Sequence, residues 1–477
     1  MRLVGRIAGP TVFLCMLFFA DSQAVMSPLA WRAAAASLWM AIWWATEAVP
    51  VPVTALLPLV LFAPLGLASS REAAAAFAHP TIFLFLGGFI MALAIERWNL
   101  HRRIALVILQ HTGTEGRRLV AGFMLVSASL SMWMTNTSTT MMLLPIAISV
   151  ITVMAENVTS VTDRQHANFR LALLLGVAFA ASIGGLATLI GTPPNALLVA
   201  YLAERHDLEI SFARWMLVGV PVSLTLLPVA WWLLTTRLFP VNIAPSQAVA
   251  AHFTTMRKEL GAMSTAEKRI AVIFFAMVML WMLRRPLQAW LGLSGLNDTV
   301  IAIAAATLTF LTPSGDNKQR MLMVWEETSR LPWGVLVLFG GGLSLAMVVN
   351  SSGLAEWLGQ SLAGLSTIGV GVLILAAITM TIYLTELTSN LATTATLLPV
   401  MGAIALQSDL APLLLTVPVT IAASCAFMLP VATAPNAIVF STGMIRIGQM
   451  VRAGLWLNIL AIGLIWVIGM FVAPALL

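Results

Sequence analysis

The sequence predicts an all-α polytopic membrane protein with about eleven transmembrane helices and two re-entrant hairpins, arranged as an inverted repeat. Hydrophobic residues make up 60% of the 477 positions and charged residues only 9%. A soluble domain carries about 25% charged residues, so a soluble protein with a large core is excluded. Apolar stretches of roughly 17–25 residues, the length that spans a bilayer, recur along the chain. A short polar motif with one asparagine also occurs once in each half, at Asn136 and at Asn390.

Loop charges predict the path of the chain, because Lys and Arg mark the cytoplasmic side of a membrane. An N-terminal helix is expected within residues 1–28, with its N-terminus in the cytoplasm because Arg2 and Arg6 precede it. No small-residue cleavage site follows, which argues against a signal peptide. The next predicted elements are spans at 29–48, 51–68 and 80–96 and a cytoplasmic interfacial segment at 97–118.

Two apolar stretches do not fit simple spans. The stretch 119–155 has basic residues at both ends and is predicted to be a hairpin that enters from the cytoplasm. The stretch 367–406 lies between segments without Lys or Arg and is predicted to be a hairpin that enters from outside. Each hairpin precedes a helix that prolines are expected to break, at 170–200 and at 410–443.

A constant spacing relates the two halves of the chain. An offset of 254 residues carries Asn136 to Asn390 and Pro145 to Pro399 (390 − 136 = 399 − 145 = 254). The predicted span at 80–96 leads into a basic loop, whereas its counterpart in the second half leads into a loop without Lys or Arg. The two repeats are therefore predicted to have opposite orientations in the membrane. The predicted division is a first repeat at 29–236, a cytoplasmic linker at 237–269 and a second repeat at 270–477, with the C-terminus outside.

The asparagine motifs and the proline breaks indicate binding sites. Irregular backbone at membrane depth must face a cavity or a ligand, because lipid cannot satisfy its polar groups. A half-helix that begins after a break points free N–H groups and a positive dipole end inward, which favours an anion. The carbonyls of the preceding half-helix suit a small cation such as Na⁺. A single break of this kind would be explained by helix packing. Four breaks in two matched pairs instead predict one composite binding site.

Other features are compatible with transport and exclude other classes. Glu386, within the second hairpin, is either a functional carboxylate or one that holds the tip together. Glu47 follows a tryptophan pair and is expected to be structural at an interface. The chain has no H-E-x-x-H, P-loop or G-x-S-x-G motif, so we predict no enzyme. The net charge of +6 follows from loop topology and does not indicate a nucleic-acid partner.

These residues resemble the divalent anion/sodium symporter family over nearly the whole chain. The resemblance rests on WWATEAVP at Trp43–Pro50, FLFLGGF at Phe83–Phe89, the two asparagine motifs at Asn136 and Asn390, and the two Pro-Asn breaks at Pro194-Asn195 and Pro435-Asn436. It implies a homodimer in the plasma (inner) membrane that moves a small dianion together with Na⁺. It also implies an elevator mechanism, in which a domain made of the hairpins and broken helices moves against a static scaffold.

The resemblance further implies the residues of the site. The first Na⁺ site is expected at Ser131, Thr135, Asn136 and the carbonyl of Gly191. The second is expected at Thr385, Thr388, Asn390 and the carbonyl of Ala432. The substrate carboxylates are expected to meet Asn136, Thr137, Ser389 and Asn390, near Thr192, Pro193 and Thr433.

One departure from the family pattern bears on function. The usual Ser-Asn-Thr becomes Ser389-Asn390-Leu391, which removes a hydroxyl beside the expected substrate. The expected function is Na⁺-coupled import of a C4 dicarboxylate such as succinate, malate or fumarate. The alternatives are a sodium-independent dicarboxylate exchanger, a sulfate, citrate or tartrate carrier of the same fold, and a cation/proton antiporter in which Glu386 carries the proton.

Overall fold

The computed structural model describes residues 2–20, 25–157, 161–293, 295–316, 320–362 and 369–477. In these ranges the chain is helical almost throughout, and its β structure is an isolated bridge between Pro313 and Met321. The prediction of an all-α fold is therefore confirmed. The helices up to residue 260 are α1 (Arg2–Phe18), α2 (Pro28–Thr46), α3 (Val51–Thr54), α4 (Leu57–Leu61), α5 (Ser70–Ala75), α6 (Pro80–Arg97), α7 (Leu100–Thr112), α8 (Gly116–Ser131), α9 (Asn136–Asn157), α10 (Asp163–Gly185), α11 (Pro193–His206), α12 (Phe212–Trp232) and α13 (Gln247–Leu260).

The remaining helices follow α13 along the chain. The first of them starts at Thr265, inside the predicted linker range, because Ser264 and Glu267 form a capping box there. The helices are α14 (Thr265–Leu291), α15 (Asp298–Leu311), α16 (Trp333–Ser351), α17 (Leu354–Leu362), α18 (Val370–Thr385), α19 (Asn390–Gln407), α20 (Leu413–Ala423), α21 (Ala434–Phe440), α22 (Ile447–Val467) and α23 (Ala473–Leu476).

Within the described ranges, 8 helices are long and apolar enough to cross a membrane. This supports a chain that crosses the bilayer several times. The larger number of spans, their directions and the inverted repeat stay predictions. The 8 helices are Ser70–Arg97, Asn136–Asn157, Asp163–Gly185, Phe212–Leu238, Thr265–Trp290, Trp333–Ser351, Asn390–Gln407 and Ile447–Leu476.

The structure differs from the sequence-based expectation at 51–68. Instead of one span, two short helices, α3 and α4, are separated by Ala55 and Leu56. Prolines that lack a backbone donor precede or begin each of them, which prevents a continuous helix. This bend packs against α16, where a Cβ on Gly341 would lie 2.4 Å from the carbonyl oxygen of Ala55. Gly341 thus permits close packing of α16 against this bend.

Two helix pairs lie where the hairpins are predicted. The helices α8 and α9 cover 116–157 with a connection at 132–135, against the predicted 119–155. The helices α18 and α19 meet at a connection at 386–389, and residues 367 and 368 of the predicted 367–406 lie outside the described residues. Residues 1 and 21–24 of the predicted N-terminal region also lie outside them.

Two interrupted helices follow these pairs. The first consists of α10 and α11 and spans 163–206, against the predicted 170–200, because Thr162 and Gln165 form a capping box that starts it earlier. The second consists of α20 and α21 and spans 413–440, against the predicted 410–443. Helix α10 is enclosed by α8, α9, α12 and α21, so the first interrupted helix lies in the centre of the molecule. Helix α14 is largely exposed, as a lipid-facing helix is.

Candidate functional site

Each helix pair has the same hydroxyl-to-amide contact at its tip. At the first tip, which connects α8 to α9, the Ser131 hydroxyl donates to Oδ1 of Asn136 at 2.5 Å. At the second tip, which connects α18 to α19, the Thr385 hydroxyl lies 3.0 Å from Oδ1 of Asn390. These residues correspond at the 254-residue offset (385 − 131 = 390 − 136 = 254). Ser131 and Thr385 are buried directly behind the two asparagines.

An asparagine closes each break between half-helices. At the first break, between α10 and α11, Nδ2 of Asn195 donates to the carbonyl oxygens of Gly185 at 3.3 Å and Thr188 at 2.8 Å. At the second break, between α20 and α21, Nδ2 of Asn436 donates to the carbonyl oxygens of Ala426 at 3.2 Å and Leu429 at 3.1 Å. The acceptors lie 10 and 7 residues before the asparagine in both breaks. The two breaks therefore have the same internal geometry.

The two tips and the two breaks meet at one cavity of about 720 Å³. All seven residues that the sequence predicts for the substrate line it, and so do five of the eight predicted for Na⁺. The lining residues from the tips and breaks are Thr135, Asn136, Thr137, Ser138, Ile190, Gly191, Thr192, Pro193, Pro194, Ser389, Asn390, Leu391, Val431, Ala432, Thr433, Ala434 and Pro435.

The three predicted Na⁺ ligands outside the lining differ in position. Ser131 and Thr385 contact the cavity asparagines from behind, as described above. The Thr388 hydroxyl instead lies 3.0 Å from the Leu384 carbonyl oxygen and 2.5 Å from the Thr393 hydroxyl. Both of these partners belong to the second helix pair itself, so the structure does not bring Thr388 to the cavity.

Helix N-termini supply the positive potential of the cavity. Helices α9, α11 and α19 begin at Asn136, Pro193 and Asn390, all of which line it. Ser389 makes no side-chain cap on α19, so the first N–H groups of that helix are open to a ligand. Leu391 lacks a hydroxyl but contributes its N–H to the same helix start. Three positive dipole ends therefore point into one cavity, an arrangement that favours an anion.

The other wall of the cavity carries few charges. It is formed by Glu47, Val51, Pro52, Phe89, Arg330, Pro332, Gly334, Val335 and Leu338. The Glu47 carboxylate lies 3.3 Å from Nη2 of Arg2, and Nη2 of Arg330 lies 2.5 Å from a carboxylate oxygen of Glu96. Both charged groups of the lining are thus paired. Glu47 thus lies in the wall of this cavity, whereas the sequence suggests only a structural position at the membrane interface.

Oxygen atoms gather beside the first asparagine. A Cβ on Gly185 would lie 2.8 Å from Oδ1 of Asn136 and 3.0 Å from the carbonyl oxygen of Gly191. The Ser131 hydroxyl donates to the same amide oxygen. Hydroxyl, amide and carbonyl oxygens are the ligands of hard cations. This oxygen set is compatible with a small cation, and it requires glycine at position 185.

Glu386 holds the second break together. Its carboxylate accepts the backbone N–H groups of Phe427 at 2.8 Å, Met428 at 2.9 Å and Leu429 at 3.0 Å. It also accepts Nδ2 of Asn458 at 2.8 Å, and its side chain is buried. These four donors satisfy the buried charge without a basic partner. The geometry favours the structural one of the two roles that the sequence leaves open.

Sequence reasoning missed several residues that shape this site. Gly185 and Thr188 received no role, although both belong to a segment that the pattern singles out as a break. Asn458 lies in α22, far along the chain from Glu386, and no local pattern indicates their contact. Arg330 also lines the cavity, and no motif of the sequence singles it out. The repeated Pro-Asn pairs were a usable signal for the asparagine clamps.

A family model described as the sodium:sulfate symporter transmembrane region matches residues 2–477. The chain belongs to this family. Membership confirms the resemblance predicted from the sequence, and it makes the chain a multi-pass membrane transporter and not an enzyme.

Curated relatives match the whole chain. A protein named sodium-dependent dicarboxylate transporter SdcS, from Staphylococcus saprophyticus, is 40% identical over 481 residues, with 100% of this chain and 92% of the relative covered. A protein of the same name from Staphylococcus aureus is 39% identical over 490 residues, with 100% and 92% covered. Both relatives thus align with the complete set of helices described above.

Two solved transporter structures share the fold. MtrF of Neisseria gonorrhoeae superposes with a TM-score of 0.54 at 12% identity, covering 91% of this chain and 86% of the other. YdaH of Alcanivorax borkumensis superposes with a TM-score of 0.51 at 15% identity, covering 90% of each chain. At such low identity the likeness concerns the fold alone.

Proposed function

We propose that this protein imports a C4 dicarboxylate, such as succinate, malate or fumarate, together with Na⁺. One observation carries the proposal: the tips and breaks of both halves line one cavity, where helix N-termini face inward and oxygen clusters lie behind the asparagines. Relatives at about 40% identity bear the name of sodium-dependent dicarboxylate transporters, which agrees with it.

The anion half of the proposal rests on the backbone. Two carboxylates of a small dianion can accept N–H groups at the starts of α9 and α19, with the side chains of Asn136, Thr137, Ser389 and Asn390 beside them. The paired Arg330 is the basic side chain among the described lining residues. Helix dipoles, and not a cluster of lysines and arginines, would then hold the substrate. This suits a transporter, which must also release what it binds.

The cation half rests on the oxygen clusters. Na⁺ would be transported cargo, held at the first tip by Ser131, Asn136 and the Gly191 carbonyl. At the second tip the Thr385 hydroxyl lies 3.0 Å from Oδ1 of Asn390 and 2.7 Å from the Ala423 carbonyl oxygen. One hydroxyl hydrogen cannot serve both acceptors, so this cluster has more oxygens than protons. A bound Na⁺ would relieve that excess and offset the charge of the dianion.

The composition of the cavity walls supports an elevator mechanism. One wall consists of the two tips and two breaks, and the other comes from the end of α2, from α3, α6 and α16, and from the residues before α16. Movement of the first group past the second would carry the substrate across the membrane without opening the site on both sides. We also propose a homodimer with a cytoplasmic N-terminus and an external C-terminus. Light scattering of the purified protein and reporter fusions at each terminus test these two points.

The test of function is uptake of labelled succinate into proteoliposomes. We expect uptake driven by an inward Na⁺ gradient, none with K⁺ in place of Na⁺, and competition by malate and fumarate. Uptake that needs internal dicarboxylate and ignores Na⁺ would indicate the exchanger. Stronger competition by sulfate, citrate or tartrate would reassign the substrate. Dicarboxylate flux that is absent while a proton gradient drives cation movement would indicate the antiporter.

The four donors on Glu386 count against the antiporter. A proton carrier must expose its carboxylate to the transport path, whereas this one is buried and bound to the backbone of the second break. Protonation of Oε2 would leave the Leu429 N–H without its acceptor, at a cost of about 1–3 kcal/mol for a buried group. The anion carriers therefore remain the candidates that the geometry favours.

A further inference from the structure

A second cavity lies away from the first, between the interfacial helix α7, the linker helix α13 and the segment 261–263. Its volume is about 750 Å³. In the described part of the chain, its lining shares no residue with the first cavity. The lining residues are Arg103, Leu109, Gln110, Thr114, Ala250, Phe253, Thr254, Arg257, Lys258, Gly261, Ala262 and Met263.

Three cations and no acidic side chain appear among the described lining residues. Arg103 is already bound, because it pairs with Glu267 at 2.8 Å and donates to the carbonyl oxygen of Gly261 at 3.0 Å. It therefore builds the wall and does not serve as a free ligand group. Arg257 and Lys258 are exposed, and neither has an ion-pair partner within the described ranges. These two cations leave the cavity with uncompensated positive charge.

A neutral amide, Gln110, completes the rim. The Gln110 amide oxygen accepts Nη1 of Arg257 at 2.7 Å, which holds the guanidinium at the edge of the cavity. The amide nitrogen of Gln110 in turn contacts the carbonyl oxygen of Phe253 at 3.4 Å, so α7 and α13 are joined at this point. The guanidinium is thus positioned by the fold, and its remaining N–H groups can bind an anion.

The helices beside this cavity, α7 and α14, carry exposed apolar side chains, as lipid-facing surfaces do. Ile104 and Val107 lie one turn apart on α7 with exposed side chains. Helix α14, an apolar span, begins two residues after Met263 and exposes Val272 and Phe275. The cavity therefore lies where a spanning helix enters the membrane, on the face that the loop charges predict to be cytoplasmic. Anionic headgroups concentrate there.

We propose that this cavity binds the headgroup phosphate of an anionic phospholipid. Arg257 and Lys258 bind the phosphate oxygens, and the acyl chains run along the exposed apolar surface of α7 and α14. A soluble phosphate would use the same two cations but not that surface, and this is why the site fits a lipid. Because the cavity joins α7 to α13, a bound lipid also connects the linker to the helix that follows the first spans.

The test is lipid binding to the delipidated, full-length protein in detergent, followed by native mass spectrometry. The probes are phosphatidylglycerol, zwitterionic phosphatidylcholine and inorganic phosphate. The variant R257Q/K258Q removes both cations, and R257K/K258R preserves them. The matched control is Lys268→Gln, which removes an exposed lysine on the same face but outside the cavity. A size-exclusion profile like that of the wild type verifies folding of each variant.

We expect the wild type, the charge-conserving variant and Lys268→Gln to bind phosphatidylglycerol equally. Binding by R257Q/K258Q should weaken by about 25-fold, since each surface cation contributes about fivefold. Thr254→Glu, which adds a negative charge to the lining, should weaken it as well and serves if the double variant does not fold. Equal binding by every variant, or equal binding of phosphatidylcholine, would overturn the proposal. Full displacement by inorganic phosphate would reassign the site to a soluble anion.

Discussion

The two breaks are alike in their asparagine clamps but differ in what holds them to the neighbouring tip. In the first break, the Thr188 hydroxyl donates to the Met132 carbonyl oxygen at 2.5 Å and accepts the N–H of Gly191 at 3.0 Å. In the second break, the Glu386 carboxylate accepts three backbone N–H groups. Met132 and Glu386 occupy equivalent positions (386 − 132 = 254). The Thr188 hydroxyl thus connects the tip to the break in the first half, and the buried Glu386 carboxylate does so in the second half.

Packing differs in the same way. An offset of 241 residues relates the breaks (436 − 195 = 241), so Gly185 corresponds to Ala426 and Gly191 to Ala432. A Cβ on Gly191 would lie 2.5 Å from the Gly185 carbonyl oxygen, whereas the second break accommodates alanine at both positions. The first break is therefore held by the Thr188 hydroxyl and close backbone packing, and the second by the Glu386 carboxylate. The two halves of the site have the same asparagine contacts but are stabilised by different interactions.

The strongest test of the shared plan removes each asparagine. We expect Asn136→Ala and Asn390→Ala each to reduce succinate uptake by on the order of 100-fold, since a hydrogen bond to a charged group contributes up to about 3 kcal/mol. Initial uptake rates into proteoliposomes measure the effect, and size-exclusion profiles verify that each variant keeps the assembly of the wild type. Asn157→Ala, at the exposed end of α9, is the control. Near-wild-type uptake by either variant would remove that asparagine from the site.

A second test concerns packing at the first break. Gly185→Ala places a methyl group 2.8 Å from Oδ1 of Asn136, and that amide is fixed by Ser131. We expect the Na⁺ concentration for half-maximal uptake to rise about tenfold, the size of a tight overpacking effect. The reciprocal Ala426→Gly adds no atom and should keep the wild-type value. Gly463→Ala, in open space on α22, controls for the substitution itself. Equal Na⁺ dependence in all three variants would contradict the packing difference.

A third test compares the two ways of holding a break. Glu386→Gln turns one acceptor oxygen into a donor that faces N–H groups, and we expect it to lower the free energy of unfolding by about 2–4 kcal/mol. Thr188→Val removes two neutral hydrogen bonds and should cost about 1–2 kcal/mol. Thermal unfolding in detergent, with matched lipid content, measures both. If Thr188→Val is the more destabilising variant, the contrast between charge and hydroxyl is wrong.

The smallest expected effect is at the position where the tips differ. Leu391→Thr restores a hydroxyl at the start of α19, and Thr137→Leu removes the corresponding one at α9. Each hydroxyl contributes about one hydrogen bond, so we expect the KM for succinate to change by about fivefold in opposite directions. The backbone N–H groups of both helices remain, and uptake should persist in both variants. Competition by sulfate and citrate shows whether selectivity changes along with affinity.

Much of this protein follows from the sequence alone, for reasons of membrane physics. Composition and apolar segment lengths determine an all-α membrane protein, because a backbone in lipid must satisfy its own hydrogen bonds. The repeated asparagine motif identified the tips, and the Pro-Asn pairs identified the breaks, because both motifs interrupt a regular helix. The resemblance carried by these motifs led to the family, which the match over 2–477 confirms.

Only the tertiary structure decided which of these residues meet and in what role. The role of Glu386 depends on N–H groups about forty residues later and on Asn458 in another helix, and no local pattern encodes such contacts. The need for glycine at 185 arises from a side chain of α9 that packs across it. Thr388, which the resemblance assigns to Na⁺, is bound within its own helix pair. Local sequence determines where a helix cannot continue, whereas three-dimensional packing determines what the freed groups bind.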